Sequence, residues 1–150
     1  MDLLLWRHAE AEDARAGQDD LDRELTPKGQ EQAARMAAWL AGVLPDDARL
    51  IVSPARRTVQ TVQPLARRFE VLDAIAPGAG PRDLVEAVGW PRAEGTVLVV
   101  GHQPTMGAVA SALMAGRQLP WHFAKAGIWW LRSDGDRLAT LVAMRSPRYP

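Results

Sequence analysis

Apolar positions along the chain come in two rhythms. Short unbroken runs stand at Leu3–Trp6, Leu50–Val52 and Thr96–Val100, and each gives way at once to small or polar residues. Runs that short, without alternation, mark strands buried on both faces, as in a parallel sheet. Between them the spacing turns helical. Ala33, Met36, Ala37, Leu40 and Val43 or Leu44 recur at helical intervals after Thr26-Pro27, a threonine cap followed by a proline at the first helical position, and Pro45 stops the run. Ala55, Val59, Val62, Leu65 and Phe69 predict a second helix, which Pro64 must kink or divide. Glu70–Asp73 reads as a third strand, 76–82 as a turn, Asp83–Val88 as a short helix, and Pro104 opens a helix to about Ala115. Ile128–Leu131 and Leu138–Met144 close the chain as two strands joined at Ser133-Asp134-Gly135, while 9–25 reads as a polar loop. Strand–helix alternation followed by two strands predicts an α/β fold: a three-layer sandwich with a mainly parallel central sheet flanked by helices, one domain over 1–150.

Composition narrows the function classes. Lysine plus arginine and aspartate plus glutamate both number 18, so no basic excess points to nucleic acid or to an anionic membrane. No apolar run reaches the roughly 20 residues of a membrane-spanning helix, and the N-terminus lacks the pattern of a secretion signal; the expected location is the cytoplasm. Cysteine is absent, which excludes disulfides and thiol chemistry.

Polar groups gather where strands end. The first strand delivers Arg7 and His8, the second delivers Ser53 with Arg56 and Arg57 just beyond, and the fourth delivers His102. In open α/β sheets, ligands bind beyond the carboxyl ends of the strands, so these residues should meet in one crevice. Arginine offers a planar, permanently charged fork that matches phosphate, and the helix opening after His102 adds main-chain N–H groups. A neutral imidazole is a competent nucleophile at pH 7. Phosphoryl transfer needs mostly positioning and charge stabilisation, so a phosphohistidine intermediate without a metal follows from this set. Scattered histidines at 8, 102 and 122 have no metal-ligand spacing. His8-Ala9-Glu10 matches half of a zinc deaminase signature whose cysteines are missing.

Leu5-Trp6-Arg7-His8-Ala9-Glu10, Ser53-Pro54-Ala55-Arg56-Arg57-Thr58-Val59-Gln60-Thr61 and Val99-Val100-Gly101-His102-Gln103-Pro104 together resemble the histidine phosphatase superfamily, whose fold is phosphoglycerate-mutase-like. The resemblance spans the chain and is nearest to the short branch of SixA-type phosphohistidine phosphatases. It implies His8 as nucleophile, Arg7, Arg57 and His102 as phosphate ligands, and the main-chain N–H of Gln103 as a further donor. Arg56 then points elsewhere. The family usually has glycine after the nucleophile; Ala9 here requires an ordinary backbone conformation. Relatives acting on alcohol phosphates usually carry an acid after the third strand, where this chain reads Ala74-Ile75-Ala76-Pro77-Gly78-Ala79. An alkoxide needs a proton to leave, whereas an imidazole, with a reference pKa of about 6.5, leaves with far less help. The expected substrate is therefore a phosphohistidine on another protein, a phosphotransfer domain or phosphocarrier. Asp83, Glu86 or Glu10 can still stand in for the acid.

Only about 20 residues separate Asp73 from Thr96, too few for a lid over a small metabolite. Two alternatives stay open: a phosphatase for a small phosphorylated molecule, and a non-catalytic module that binds phosphoproteins. A monomer suffices for all three. Of the remaining residues, His122 between aromatic neighbours is expected to pack, and Glu10, Glu12, Asp13, Asp19 and Asp20 to form a solvated acidic loop. Arg67-Arg68 is read as a solvated helix face, and Trp129 and Trp130 as facing opposite sides of a strand.

Overall fold

The computed structural model describes residues 1–135 and 138–149. At the centre of the sheet, β1 (Asp2–Arg7) runs parallel to β4 (Thr96–Gly101), in register from Asp2 opposite Thr96 to Arg7 opposite Gly101. Beyond β4 lie β2 (Arg49–Val52) and then β3 (Glu70–Val71), both parallel. On the other flank β5 (Ile128–Arg132) and β6 (Thr140–Arg145) run antiparallel, giving the order β3-β2-β4-β1-β5-β6. The sheet is thus mainly parallel with an antiparallel edge.

Side-chain alternation along the strands builds two cores. Leu4, Trp6, Leu50, Val52, Leu98 and Val100 face α1 (Pro27–Val43) and α2 (Arg56–Val62), where Ala33, Met36, Leu40 and Val62 cover them. Leu3, Leu5, Ile51, Val97 and Val99 face the other way, against Leu84 and Val88 of α3 (Pro81–Val88) and Met106, Val109 and Ala110 of α4 (Thr105–Ala115). Burial on both faces is why β1 and β4 read as unbroken apolar runs. Trp129 and Trp130 do take opposite sides. Trp129 stacks on Phe123 with ring centroids 4.5 Å apart, and Trp130 packs with the α1 core.

α1 starts as its sequence predicts: the Thr26 hydroxyl accepts from the Gly29 N–H at 2.9 Å, and Pro27 opens the first turn. α2 ends ahead of Pro64, and Gln63–Leu65 tightens into a 3-10 turn closed by Ala66 in the left-handed region at φ 53°. Arg67 therefore lies past the helix. Instead of lining a solvated face it donates from Nη2 to the Pro45 carbonyl at 2.7 Å and reaches the Leu44 and Asp46 carbonyls, tying off the end of α1. The third strand is shorter than Glu70–Asp73, because Asp73–Ile75 wind into a 3-10 turn. α3 begins two residues earlier than its apolar spacing implies; Pro81 starts it, and the Asp83 carboxylate accepts from the Gly80 N–H at 2.8 Å. The stretch between β3 and β4 is thus spent on a turn and a helix packed against α4. No helix among the described residues is long and apolar enough to cross a membrane.

Candidate active site

Parallel register brings the strand ends level. Arg7 pairs with Gly101 and Val52 with Val100, so the next residues emerge on one rim. The main chain keeps them there: His8 N–H donates to the Gly101 carbonyl at 3.0 Å, and Ser53 N–H to the Val100 carbonyl at 3.0 Å. The imidazoles of His8 and His102 meet with ring centroids 5.3 Å apart.

His8 is held from several sides. Its Nδ1 lies 2.7 Å from the Ala9 carbonyl, which can only accept, so Nδ1 carries the hydrogen and Nε2 keeps its lone pair. The Ala9 N–H donates to Thr61 Oγ1 at 3.0 Å, and Thr61 Oγ1 donates to the Arg57 carbonyl at 2.6 Å. Ala9 is fully buried and, unlike Ala66 and Ala126, has no positive φ, as its lack of glycine freedom requires. His102 has Nε2 2.7 Å from Ser53 Oγ and Nδ1 3.5 Å from Arg57 Nη2. Burial pushes His8 down to about 4, helped by the charges of Arg57, Arg7 and Lys125 and opposed by the Ala9 hydrogen bond. Burial and then Arg57 push His102 down to about 3. Both rings are neutral at pH 7.

The two guanidiniums flank these rings. Arg57 is 4% exposed, whereas the side chain of Arg56 is 56% exposed and pairs with Glu24, so consecutive residues of α2 look in and out. Arg7 donates from Nη1 to the Phe123 carbonyl at 2.5 Å, and burial lowers its pKa from the usual arginine value. The Nε atoms of both Arg7 and Arg57 are buried with no hydrogen-bond partner. Unpaired buried donors of this kind are costly, and an anion is the partner a guanidinium takes most strongly.

Gln103 stands beside this cup with its side chain committed. Nε2 donates to the Trp121 carbonyl at 2.8 Å and Oε1 accepts from the Gly107 N–H at 3.0 Å. The carboxylates considered as acids are engaged too. Glu10 takes the Thr26 hydroxyl at 3.0 Å and pairs with Lys28, Asp83 caps α3, and Glu86 holds Arg82 at 2.8 Å. The crevice next to His102 is lined by Ile75, Ala76, Ala79, Leu84 and Thr105, without a carboxylate. Among the described residues, no three His, Asp or Glu side chains cluster closely enough to hold a metal ion.

Two expectations need correction. His122 does not pack; it is exposed, with Nε2 3.5 Å from Arg7 Nη1, because Phe123 takes the buried place between the aromatic neighbours. The acidic loop is not merely solvated. Its 3-10 turn, Asp20–Asp22, brings Asp20 against Arg57, which donates from Nη2 to Asp20 Oδ2 at 2.9 Å and from Nη1 to the Asp20 carbonyl at 2.6 Å. Sequence reasoning also missed Ser53 as the partner of His102 and Thr61 as the support of Ala9. Ser53 was at least marked by its place at a strand end; Asp20 carried no signal in a run of acidic residues.

Known proteins similar to this chain belong to one family. Residues 3–77 match the histidine phosphatase superfamily (branch 1). The phosphohistidine phosphatase SixA of Escherichia coli is 33% identical over 80% of this chain and 78% of its own. The solved structure of the protein histidine phosphatase SixA complexed with tungstate superposes with a TM-score of 0.84 at 26% identity, covering 99% of this chain and 98% of the other. A phosphoserine phosphatase mutant from Entamoeba histolytica, complexed with phosphoserine, shares the fold at 17% identity and a TM-score of 0.74, covering 99% and 98%. With the family match over half of its length, a SixA relative at 33% identity and a SixA structure that superposes over nearly the whole chain, this chain belongs to the histidine phosphatase superfamily, in its SixA-type branch, and is a phosphatase.

Proposed function

We propose that this phosphatase removes the phosphoryl group from a phosphohistidine carried by another protein, through a phosphorylated His8. His8 Nε2 attacks phosphorus in line. Arg7, Arg57 and His102 hold the three phosphoryl oxygens, with the Gln103 main-chain N–H as a further donor. The bond from phosphorus to the substrate ring breaks, its electron pair returns to that ring nitrogen, and the ring leaves as neutral imidazole when its far nitrogen carries a proton. Water then bonds to phosphorus, the P–Nε2 bond breaks with its pair returning to Nε2, and the water proton leaves with inorganic phosphate or to solvent. Nδ1 keeps its hydrogen on the Ala9 carbonyl throughout. His8 is thus expelled as neutral imidazole with no outside acid.

The observation that carries the substrate class is the contrast within the cup. The rings of His8 and His102 meet beside the buried Arg57, while Glu10, Asp83 and Glu86 are each tied to a neighbour. With these three carboxylates engaged, a leaving group that needs no acid is favoured. The surroundings support a protein substrate: His122, 3.5 Å from Arg7, lines a hollow of about 480 Å³ together with Trp129, Met144 and Tyr149, of which Met144 and Tyr149 are well exposed. The test is a side-by-side panel of phosphohistidine-bearing phosphotransfer domains and phosphocarriers, and of small phosphomonoesters. Phosphohistidine proteins should show kcat/KM at least about a hundredfold higher, the scale of a missing acid. Faster turnover of a phosphomonoester would overturn the assignment.

A further inference from the structure

Arg57 has more hydrogen-bonding capacity than the reaction uses, and the excess is directed at one residue. A guanidinium presents two polar edges: Nη1 with Nη2, and Nη2 with Nε. Asp20 takes the first edge entirely, with its carbonyl on Nη1 at 2.6 Å and Oδ2 on Nη2 at 2.9 Å. Asp20 leaves the second edge free: Nε is buried without a partner, and Nη2 lies 3.5 Å from His102 Nδ1. Asp20 is in turn fixed from outside. Arg23 Nη1 donates to Oδ1 at 2.9 Å, Arg23 Nε donates to the Glu12 carbonyl at 2.8 Å, and the Asp19 carboxylate accepts from the Leu21 N–H at 2.9 Å to shape the turn.

A carboxylate beside an anion site has an electrostatic cost, since it repels the phosphoryl group. Orientation works in the opposite direction. An arginine held on its outer edge loses less freedom when its inner edge takes phosphate. The two effects give opposite signs on removal of Asp20, so they can be separated. We propose that Asp20 is a positioning residue, which clamps the outer edge of Arg57 so that Nε and Nη2 are presented together to the phosphoryl oxygens. This rests on the reading that Arg57 binds the phosphoryl group.

The test uses the whole chain and two probes: inorganic phosphate followed by calorimetry and by the Arg57 Nε–H NMR signal, and turnover of a phosphohistidine protein. Asp20→Ala should weaken phosphate binding about tenfold, equivalent to ~1.4 kcal/mol. KM should rise by a similar factor with a smaller fall in kcat, and Tm should hardly change. Asp20→Asn keeps an oxygen acceptor and the carbonyl contact, so it should recover most of the affinity. Arg23→Ala, which frees Asp20 without touching the cup, should fall between and covers a failure of the alanine variant to fold. In the wild type, phosphate should shift the Arg57 Nε–H signal. Tighter phosphate binding in both Asp20→Ala and Asp20→Asn would overturn the proposal in favour of plain charge repulsion, and so would unchanged binding. Were the wild type to bind phosphate and turn over substrate with no response at Arg57 Nε–H, the assignment of Arg57 itself would fail instead, and the Asp20 proposal with it.

Discussion

At His8 the hydrogen on Nδ1 is committed to the Ala9 carbonyl, and burial keeps the ring neutral far below the usual histidine range. An isolated histidine takes up a proton near pH 6.5, while His8 is pushed down to about 4. Its native-state pKa lies below the unfolded one, so the unfolded chain binds protons first as pH falls. The stability His8 contributes is complete above about pH 6.5 and is lost as pH drops through that window toward 4. NMR titration of the His8 ring should give a midpoint near 4; a midpoint at or above 6.5 would show a solvated ring. A few residues along, Arg57 and Arg56 differ in chemistry only by where they point. Arg57→Ala should reduce kcat/KM about a hundredfold or more, as losses of anion-holding donors do. Arg56→Ala should stay within roughly twofold, since its exposed pair with Glu24 contributes little. The reverse order would place the wrong arginine in the cup. His8, His102 and the Arg56-Arg57 pair are legible because each stands just past an apolar run, and the family resemblance singles out Arg57 from the pair. The Ser53–His102 hydrogen bond and the Asp20 clamp were not, because they depend on which loops approach in space. His122 misled because flanking aromatics do not say which neighbour takes the buried place.

Among the elements, α1 supports the chain just beyond β1. Gly29 in its first turn packs on the main chain of Glu10, two residues past His8, and a Cβ there would collide with the Glu10 carbonyl. Gly29→Ala should cost about 1–3 kcal/mol, the usual range for overpacking. Urea unfolding would measure it; an unchanged midpoint would mean that helix and loop can separate freely. The start of α1, the division of α2 at Pro64 and the buried β1 and β4 were all readable, since caps, prolines and apolar runs act locally. β3 was over-extended and α3 begun late, for the complementary reason. Both are short, lie toward one end of the sheet, and have bounds set by a 3-10 turn and by the Asp83 cap rather than by apolar spacing.

Across the whole molecule, charge is balanced at 18 against 18, yet the carboxyl ends of the central strands hold two buried-side guanidiniums facing two neutral imidazoles. Parallel register is what brings three distant sequence motifs together at one rim of the sheet. A shared sheet and helices do not by themselves set a substrate. The central claim is that His8 becomes phosphorylated there. Rapid quenching of the wild-type chain with labelled phosphohistidine substrate, followed by peptide mapping, tests it most directly. The account predicts an acid-labile, base-stable phosphate on His8 that is absent from His8→Ala. Steady turnover by His8→Ala at the wild-type rate, or label on any other residue, would contradict it.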